Sequence, residues 1–200
     1  MDRYFIIYKP YKMVSQFVSS HKVKLLCDLE YDFPEGTHAI GRLDSDSEGL
    51  LLLTTDKSIT ARLLHPKHQH KRTYIVQVEK CITEEALKKI RSGIEILVKT
   101  KGSYLTQPCG VTVIDKPVDL PERGHEFRAD LPQSWIEITL TEGKNRQIRK
   151  MCSAVRHDCK RLIRTSIVNL KLGNLKPGEV KEIPKEELLK LLELKDEIIF

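Results

Sequence analysis

Three acids spaced two apart, Asp44, Asp46 and Glu48, stand directly ahead of Gly49 and four consecutive leucines in "GRLDSDSEGLLLLTTD", residues 41 to 56. The leucines predict a strand buried on both faces, which puts the acids at the mouth of a core rather than on a solvated surface. A carboxylate in that place can act as a nucleophile, take up a proton, or stabilise a cationic intermediate. Two other uses fit less well. The spacing imitates the first half of an EF-hand calcium loop, but that loop needs a bidentate Glu at its twelfth position. Thr55 stands there, and apolar strand rather than helix follows Gly49. A glycosidase needs two carboxylates with a set gap between them, and residues two apart on a short segment point differently. One reactive carboxylate remains.

Positive charge gathers in two places. Residues 62 to 72, "RLLHPKHQHKR", carry Arg62, Lys67, Lys71 and Arg72 with His65, His68 and His70. Residues 144 to 164 carry eight Lys or Arg against the single acid Asp158. In the second stretch Ile148, Met151, Cys152 and Val155 follow the spacing of a buried helical stripe. Arg146 and Lys150 then share one outer face, and Arg149, Ser153 and Arg156 another. A solvated basic face is the bland reading of such a helix. Two clusters in one chain with 34 basic and 28 acidic residues, net +6, favour a polyanionic partner. Gly143 and Asn145 stand where the helix begins, so backbone N–H groups and cations can converge there on one anionic group. The histidines read as loop residues near phosphate rather than metal ligands.

The elements that must position these groups follow from periodicity. Strands are expected at 4 to 9, closed by Pro10, at 49 to 55, and at 72 to 79 with Tyr74, Val76 and Val78 on one face. Further strands are expected at 94 to 98, 110 to 115 and 134 to 142. Asp56 is placed to cap a short helix carrying Ile59, Leu63 and Leu64 that Pro66 stops. A second helix runs from Thr83 to Ser92, with an Ile82 to Leu87 staple and Gly93 as its stop. A last one follows Pro184 with Leu188, Leu189, Leu191 and Leu192 on its packed side. Residues 117 to 132, with three prolines, read as an ordered loop. The mixture predicts an α+β fold with a largely antiparallel sheet, and 200 residues with 40% hydrophobic content predict one domain, 1–200.

Five cysteines, at 27, 81, 109, 152 and 159, leave one unpaired and form no C-x-x-C pair. They are expected to be reduced, buried structural thiols in a cytoplasm. Cys152, His157 and Cys159 lack a fourth partner at a spacing that fits zinc, so no metal is expected. The N-terminal apolar run is too short for a signal peptide, and no stretch approaches the length that crosses a bilayer.

Four stretches, in order from residue 8 to residue 151, resemble the RNA pseudouridine synthases, in the branch typified by the small-subunit rRNA enzyme RsuA. "YKPYKMVSQF" is similar to that family's N-terminal "KP" segment. "GRLDSDSEGLLLLTTD" resembles its catalytic motif, with Asp44 on the catalytic aspartate. "KRTYIVQV" resembles the second motif, whose tyrosine falls on Tyr74, and "EGKNRQIRKM" the third, with Arg149 at its basic residue. Many members begin with a small S4 domain, whereas this chain is expected to start at the catalytic domain. The "SQF" after the first strand and "RADLPQSWIEITL" resemble most closely the members that act on large-subunit rRNA.

The resemblance implies a pseudouridine synthase fold, a mixed, mostly antiparallel sheet flanked by helices with a central catalytic cleft. It implies a uridine-to-pseudouridine isomerisation in 23S rRNA without a cofactor; the sequence itself, with reduced thiols and no sign of an exposed apolar seam, predicts a cytoplasmic monomer. Asp44 is then the catalytic carboxylate, and Arg149 is expected to pair with it across the cleft and hold it ionised. Tyr74 would lie against the uracil and assist loss of the C5 proton, while Arg42 helps hold the target nucleotide out of its helix. Lys67, Lys71, Arg72, Lys144, Arg146 and Lys150 would grip flanking phosphates. Ser45, Asp46, Ser47 and Glu48 are read as structural. A 16S rRNA or tRNA target is the alternative within the enzyme class. A non-catalytic RNA-binding or ribosome-assembly module is the alternative outside it, and such a module makes no demand for Asp44, Tyr74 and Arg149 together.

Overall fold

The apolar run behind the three acids is a strand buried along its whole length, Glu48–Thr54 (β3). It belongs to a computed structural model that describes residues 2–64, 70–98 and 102–194. The chain divides into two units, Met1–His70 with Arg164–Phe200, and Lys71–Ile163.

In the first unit, Tyr4–Lys9 (β1) runs antiparallel to β3, with Tyr8 opposite Leu50 and Lys9 opposite Gly49. His38–Ile40 (β2) pairs with β3, and Val180–Glu182 (β11) pairs with β1, both antiparallel. Continuous burial of β1 and β3 explains why their apolar residues do not alternate with polar ones. The rings of Tyr31 and Phe33 meet Phe5 edge-on at 5.5 and 5.6 Å. Asp56 caps Lys57–Leu64 (α1) as expected, its Oδ1 accepting from the Ser58 N–H at 2.8 Å. Tyr4 donates to the other oxygen at 2.8 Å. Burial alone would raise this carboxyl, but the hydrogen bonds from Ser58 and Tyr4 outweigh it and hold the group below its ordinary value. Lys185–Leu191 (α4) follows Pro184 and buries Leu188 and Leu189.

In the second unit, Arg72–Glu79 (β4) pairs antiparallel with Gln133–Leu140 (β8) over its full length, and Gly110–Ile114 (β7) lies on the far side of β8. Val76, Val78, Ile136 and Ile138 are fully buried. Glu84–Ser92 (α2) covers them with Leu87 and Ile90, and Gln147–Ala154 (α3) with Ile148, Met151 and Cys152. The helical stripe in the second basic stretch is therefore real. Thr83 caps α2 by accepting from the Ala86 N–H at 3.2 Å. Gly93 ends it at φ 92°, where a Cβ would come 2.3 Å from the Thr106 carbonyl oxygen, so no other residue fits. Glu95–Val98 (β5) and Gly102–Leu105 (β6) form a separate hairpin.

Cys159–Ile167 (β9) carries the chain from the second unit into the first, where Leu170–Lys171 (β10) pairs back onto it. Sequence reading missed this strand, together with β2, β6, β10 and β11, and it changes the account of the second basic stretch. Arg161 and Arg164, counted there among the cations of one cluster, are 1% and 4% exposed. Arg161 donates to the Pro121 carbonyl at 2.7 Å, and Arg123 donates to the Lys160 carbonyl at 3.0 Å. Those bonds order the proline-rich loop against β9. Of the five thiols, all free, only Cys152 is buried; Cys27 and Cys81 are exposed, contrary to expectation. Cys152 lies on the packed stripe of α3, whereas Cys27 sits on a short 3-10 turn and Cys81 on the turn between β4 and α2. Among the described residues no helix is long and apolar enough to cross a membrane.

Candidate active site

Asp44 lies half-buried on the segment that joins β2 to β3, and its neighbours on that segment are pinned. Ser15 Oγ donates to the Leu43 carbonyl at 2.9 Å and accepts from the Leu43 N–H at 3.0 Å. The Lys12 N–H donates to the Ser45 carbonyl at 2.7 Å, and the Ser47 N–H to the Asp44 carbonyl at 3.0 Å. Gly41 at φ 74° and Gly49 at φ 100° let the chain enter and leave this turn. The Leu43 side chain is buried and Arg42 is exposed, so the segment anchors by one residue and presents the next. Ser47 and Glu48 are each 1% exposed, and the Ser47 hydroxyl has no hydrogen-bond partner among the described residues.

Two buried cations, Lys9 and Arg164, were not expected to be buried. Lys9, the last residue of β1, is 0% exposed. Its ammonium donates to the carbonyls of Pro10 at 2.8 Å and Met13 at 2.6 Å. Burial, with a smaller push from Arg164, outweighs the opposing charges of Glu48, Asp46 and Asp44 and brings it down to about 8. Arg164 itself donates from Nε to the Leu50 carbonyl at 2.8 Å. A charged residue inside the otherwise apolar "YFIIYK", just before a proline, was the available signal for Lys9.

In the second unit, Tyr74 stands opposite Ile138 and packs, half-buried, beside Val76 and Val78. Arg149 is half-buried on α3, with Nη1 donating to the Cys159 carbonyl at 3.1 Å. The start of α3 is tied internally. The Lys144 N–H donates to Gln147 Oε1 at 2.9 Å, and the Gln147 N–H donates to the Lys144 carbonyl at 3.1 Å. Gln147 Nε2 donates to Glu142 at 2.7 Å, and Glu142 also accepts from the Tyr104 hydroxyl and the Gln107 N–H. These bonds occupy N–H groups that sequence reading offered to an anion. Lys144 holds its ammonium 4.7 Å from the centre of the Tyr104 ring. Arg146 is exposed in the left-handed region at φ 54°, Lys150 and Arg72 are half-buried, and Lys71 is exposed. Lys67 lies outside the described residues.

An aspartate on a pinned turn, a tyrosine on a strand and an arginine fixed on a helix thus stand in the order in which the sequence motifs placed them. Residues 3–154 match the family model described as RNA pseudouridylate synthase. The chain belongs to the RNA pseudouridine synthase family. It is 41% identical over 180 residues to Ribosomal large subunit pseudouridine synthase E of Vibrio parahaemolyticus, a match covering 89% of this chain and 72% of that protein. Against the protein of the same name from Xanthomonas axonopodis pv. citri the identity is 37% over 177 residues, covering 86% and 89%. A solved pseudouridylate synthase structure superposes with a TM-score of 0.76 at 26% identity, covering 96% of this chain and 74% of that one. As a pseudouridine synthase the chain is an isomerase acting on RNA, and its α+β fold is the family's. The matched span contains Lys9, Asp44, Tyr74 and Arg149, and stops short of Arg164.

Proposed function

We propose that this synthase isomerises a specific uridine of 23S rRNA, with Asp44, Tyr74 and Arg149 as its catalytic residues. The observation that carries the target class is the 41% identity, over 89% of the chain, to a protein named a large-subunit synthase. In the reaction the bond between N1 of uracil and the ribose carbon breaks, the base rotates while held, and C5 bonds to that carbon as its proton leaves and N1 gains one. Atoms and electrons balance without a redox partner, cofactor or metal. Asp44 meets the reacting sugar, as nucleophile, base or counter-charge. Tyr74 offers a ring face to the uracil and helps remove the C5 proton. Arg149 supplies a guanidinium as counter-charge, its orientation supported by the bond to Cys159. Arg42, Lys67, Lys71, Arg72, Lys144, Arg146 and Lys150 contact the RNA, Arg42 at the extruded nucleotide. The enzyme works as a cytoplasmic monomer.

Incubating the protein with unmodified 23S rRNA, then mapping pseudouridine by chemical modification and reverse transcription, tests the reading. One new stop, absent with Asp44→Asn, is expected. Bound but unchanged 23S rRNA overturns it, and the same mapping on total RNA from a deletion strain then identifies any other target.

A further inference from the structure

Between Met13 and Leu26 the first unit sends out a loop whose ends are tied together. The Val14 N–H donates to the Lys24 carbonyl and the Leu26 N–H to the Gln16 carbonyl, both at 2.9 Å, and Met13 bridges to Lys24. Within the loop the His21 N–H donates to Ser19 Oγ at 3.0 Å and turns the chain. Phe17 packs edge-on against Phe33 at 5.4 Å, and Leu26 is fully buried. Residues 11–33 contain neither glycine nor proline, and none from 13 to 35 has a positive φ. The loop is therefore an ordered, unstrained projection with closed ends, the kind that carries binding residues on a fixed base.

Its base also holds the segment that carries Asp44. Ser15, between the tied residues Val14 and Gln16, has its hydroxyl on both backbone groups of Leu43, and the Lys12 N–H reaches the Ser45 carbonyl. The loop thus rises from the same strip of backbone that brackets Asp44. Its surface is basic. Lys22 and Lys24 are exposed, and the sequence has no acid between Asp2 and Asp28. A solvated face is the bland reading of two exposed lysines. Arg3, Lys89 and Arg91, also at the surface, are each held by a carboxylate at 2.6 to 2.7 Å, whereas Lys22 and Lys24 have no acidic partner among the described residues.

We propose that this loop, residues 16–24, is an RNA-contacting element of the first unit: Lys22 and Lys24 bind phosphates of the strand that flanks the nucleotide delivered to Asp44. Its placement rests on the reading of Asp44 as the catalytic carboxylate, and its ligand on the chain's membership of a family that acts on RNA. A strand that brings a nucleotide to the Asp44 turn passes the loop tied to that turn, and each ammonium that meets a phosphate there releases counterions from the RNA. None of the basic residues assigned to RNA above lies on this loop, so it adds a separate point of grip. Such contacts go to the backbone of the RNA and orient it without reading its bases.

The test is filter binding of a 23S rRNA transcript between about 50 and 200 mM salt. Wild type is compared with Lys22→Ala plus Lys24→Ala, with Lys22→Arg plus Lys24→Arg, and with a charge-matched control, Lys181→Ala plus Lys190→Ala, at exposed positions on β11 and α4. The ties at the base of the loop are backbone groups that every variant keeps, so circular dichroism should match wild type. The alanine pair at 22 and 24 is expected to make the slope of log K against log salt shallower by about 1.4, or about 0.7 per single-strand contact, so its deficit against wild type shrinks about sevenfold across that range. The arginine pair keeps both charges and should follow wild type, as should the control. In hydroxyl-radical footprints the alanine pair should lose protection next to the isomerised uridine. A wild-type slope in the alanine pair overturns the inference and leaves the loop a solvated face. An equal loss in the control overturns it as an effect of net charge, and protection lost far from the uridine overturns the placement beside Asp44. Because the slope is read without turnover, a transcript that binds but is not isomerised defeats the 23S reading alone, and turnover by Asp44→Asn defeats only the assignment of Asp44.

Discussion

Arg164 donates from Nε to the carbonyl oxygen of Leu50 at 2.8 Å, and 4% of it is exposed. Leu50 follows Gly49 directly, so this bond fixes the start of β3 behind the acid-bearing loop. Truncation to an apolar side chain leaves a buried carbonyl short of a charged donor. Arg164→Met is expected to lower stability by about 1–3 kcal/mol, read from the midpoint of urea unfolding. An unchanged midpoint would show that this bond adds nothing to the start of β3.

Arg149 has one terminal nitrogen committed to the Cys159 carbonyl, which fixes the plane of its guanidinium. A lysine there keeps the charge but loses the fork. Arg149→Ala is expected to reduce kcat by about 10²–10³-fold, the scale of a lost transition-state donor, with RNA affinity changed by less than about threefold. Arg149→Lys should recover only part of the loss. Single-turnover kinetics with a filter-binding titration separates the two quantities, and unchanged kcat in Arg149→Ala would remove this residue from catalysis.

The contrast between Arg149 and Arg164 shows what the sequence could reveal. Strand β3, helix α2 and the stripe of α3 were legible because burial is written in local spacing: leucine runs, a Thr83 cap with a Gly93 stop, and Ile148, Met151 and Cys152 on one face. Asp44, Tyr74 and Arg149, the catalytic residues proposed above, stand out in the sequence only through short motifs. Strand β9 was not, because "CKRLIRTSI" mixes cations with apolar residues and reads as more of the basic helix before it. Its arginines are buried because distant carbonyls, Pro121 for Arg161 and Leu50 for Arg164, accept from them. Lys9 was hidden for the same reason. Its partners across the ladder and loop are 35 to 39 residues away in sequence, at Asp44, Asp46 and Glu48.

Asp56 couples the first unit's stability to acid. Its carboxyl lies below its ordinary value because the Ser58 and Tyr4 hydrogen bonds outweigh burial, which acts the other way. A depressed folded value means that the stabilisation is complete above the unfolded value and is lost as pH falls through the folded one. Asp56→Ala is therefore expected to cost about 1 kcal/mol at pH 7, the scale of a lost helix cap. The difference from wild type should shrink below about pH 4, near the ordinary carboxylate value. Urea titrations at pH 7 and pH 3 check this, and an equal difference at both would show that the charge on Asp56 is irrelevant.

Lys71 and Arg72 open β4, and the register places Arg72 opposite Leu140, two residues before Glu142 and the turn that leads into α3. A Cβ on Gly143 would come 3.9 Å from the Arg72 guanidinium, so Arg72 and the backbone leading to Lys144 share one end of the β4–β8 ladder. Lys71 is exposed beside them. Cations grouped at one end of a sheet suit a phosphate backbone that passes over it, and each contact made there releases counterions. Lys71→Ala with Arg72→Ala should weaken binding of the 23S transcript and make the slope of log K against log salt shallower by about 1.4, or about 0.7 per single-strand contact. Turnover at saturating RNA should change little, because neither side chain is assigned to the reacting base. A slope that stays at the wild-type value would place this end of the ladder away from the RNA, and would leave Arg146 before α3 and Lys150 on it to carry the grip.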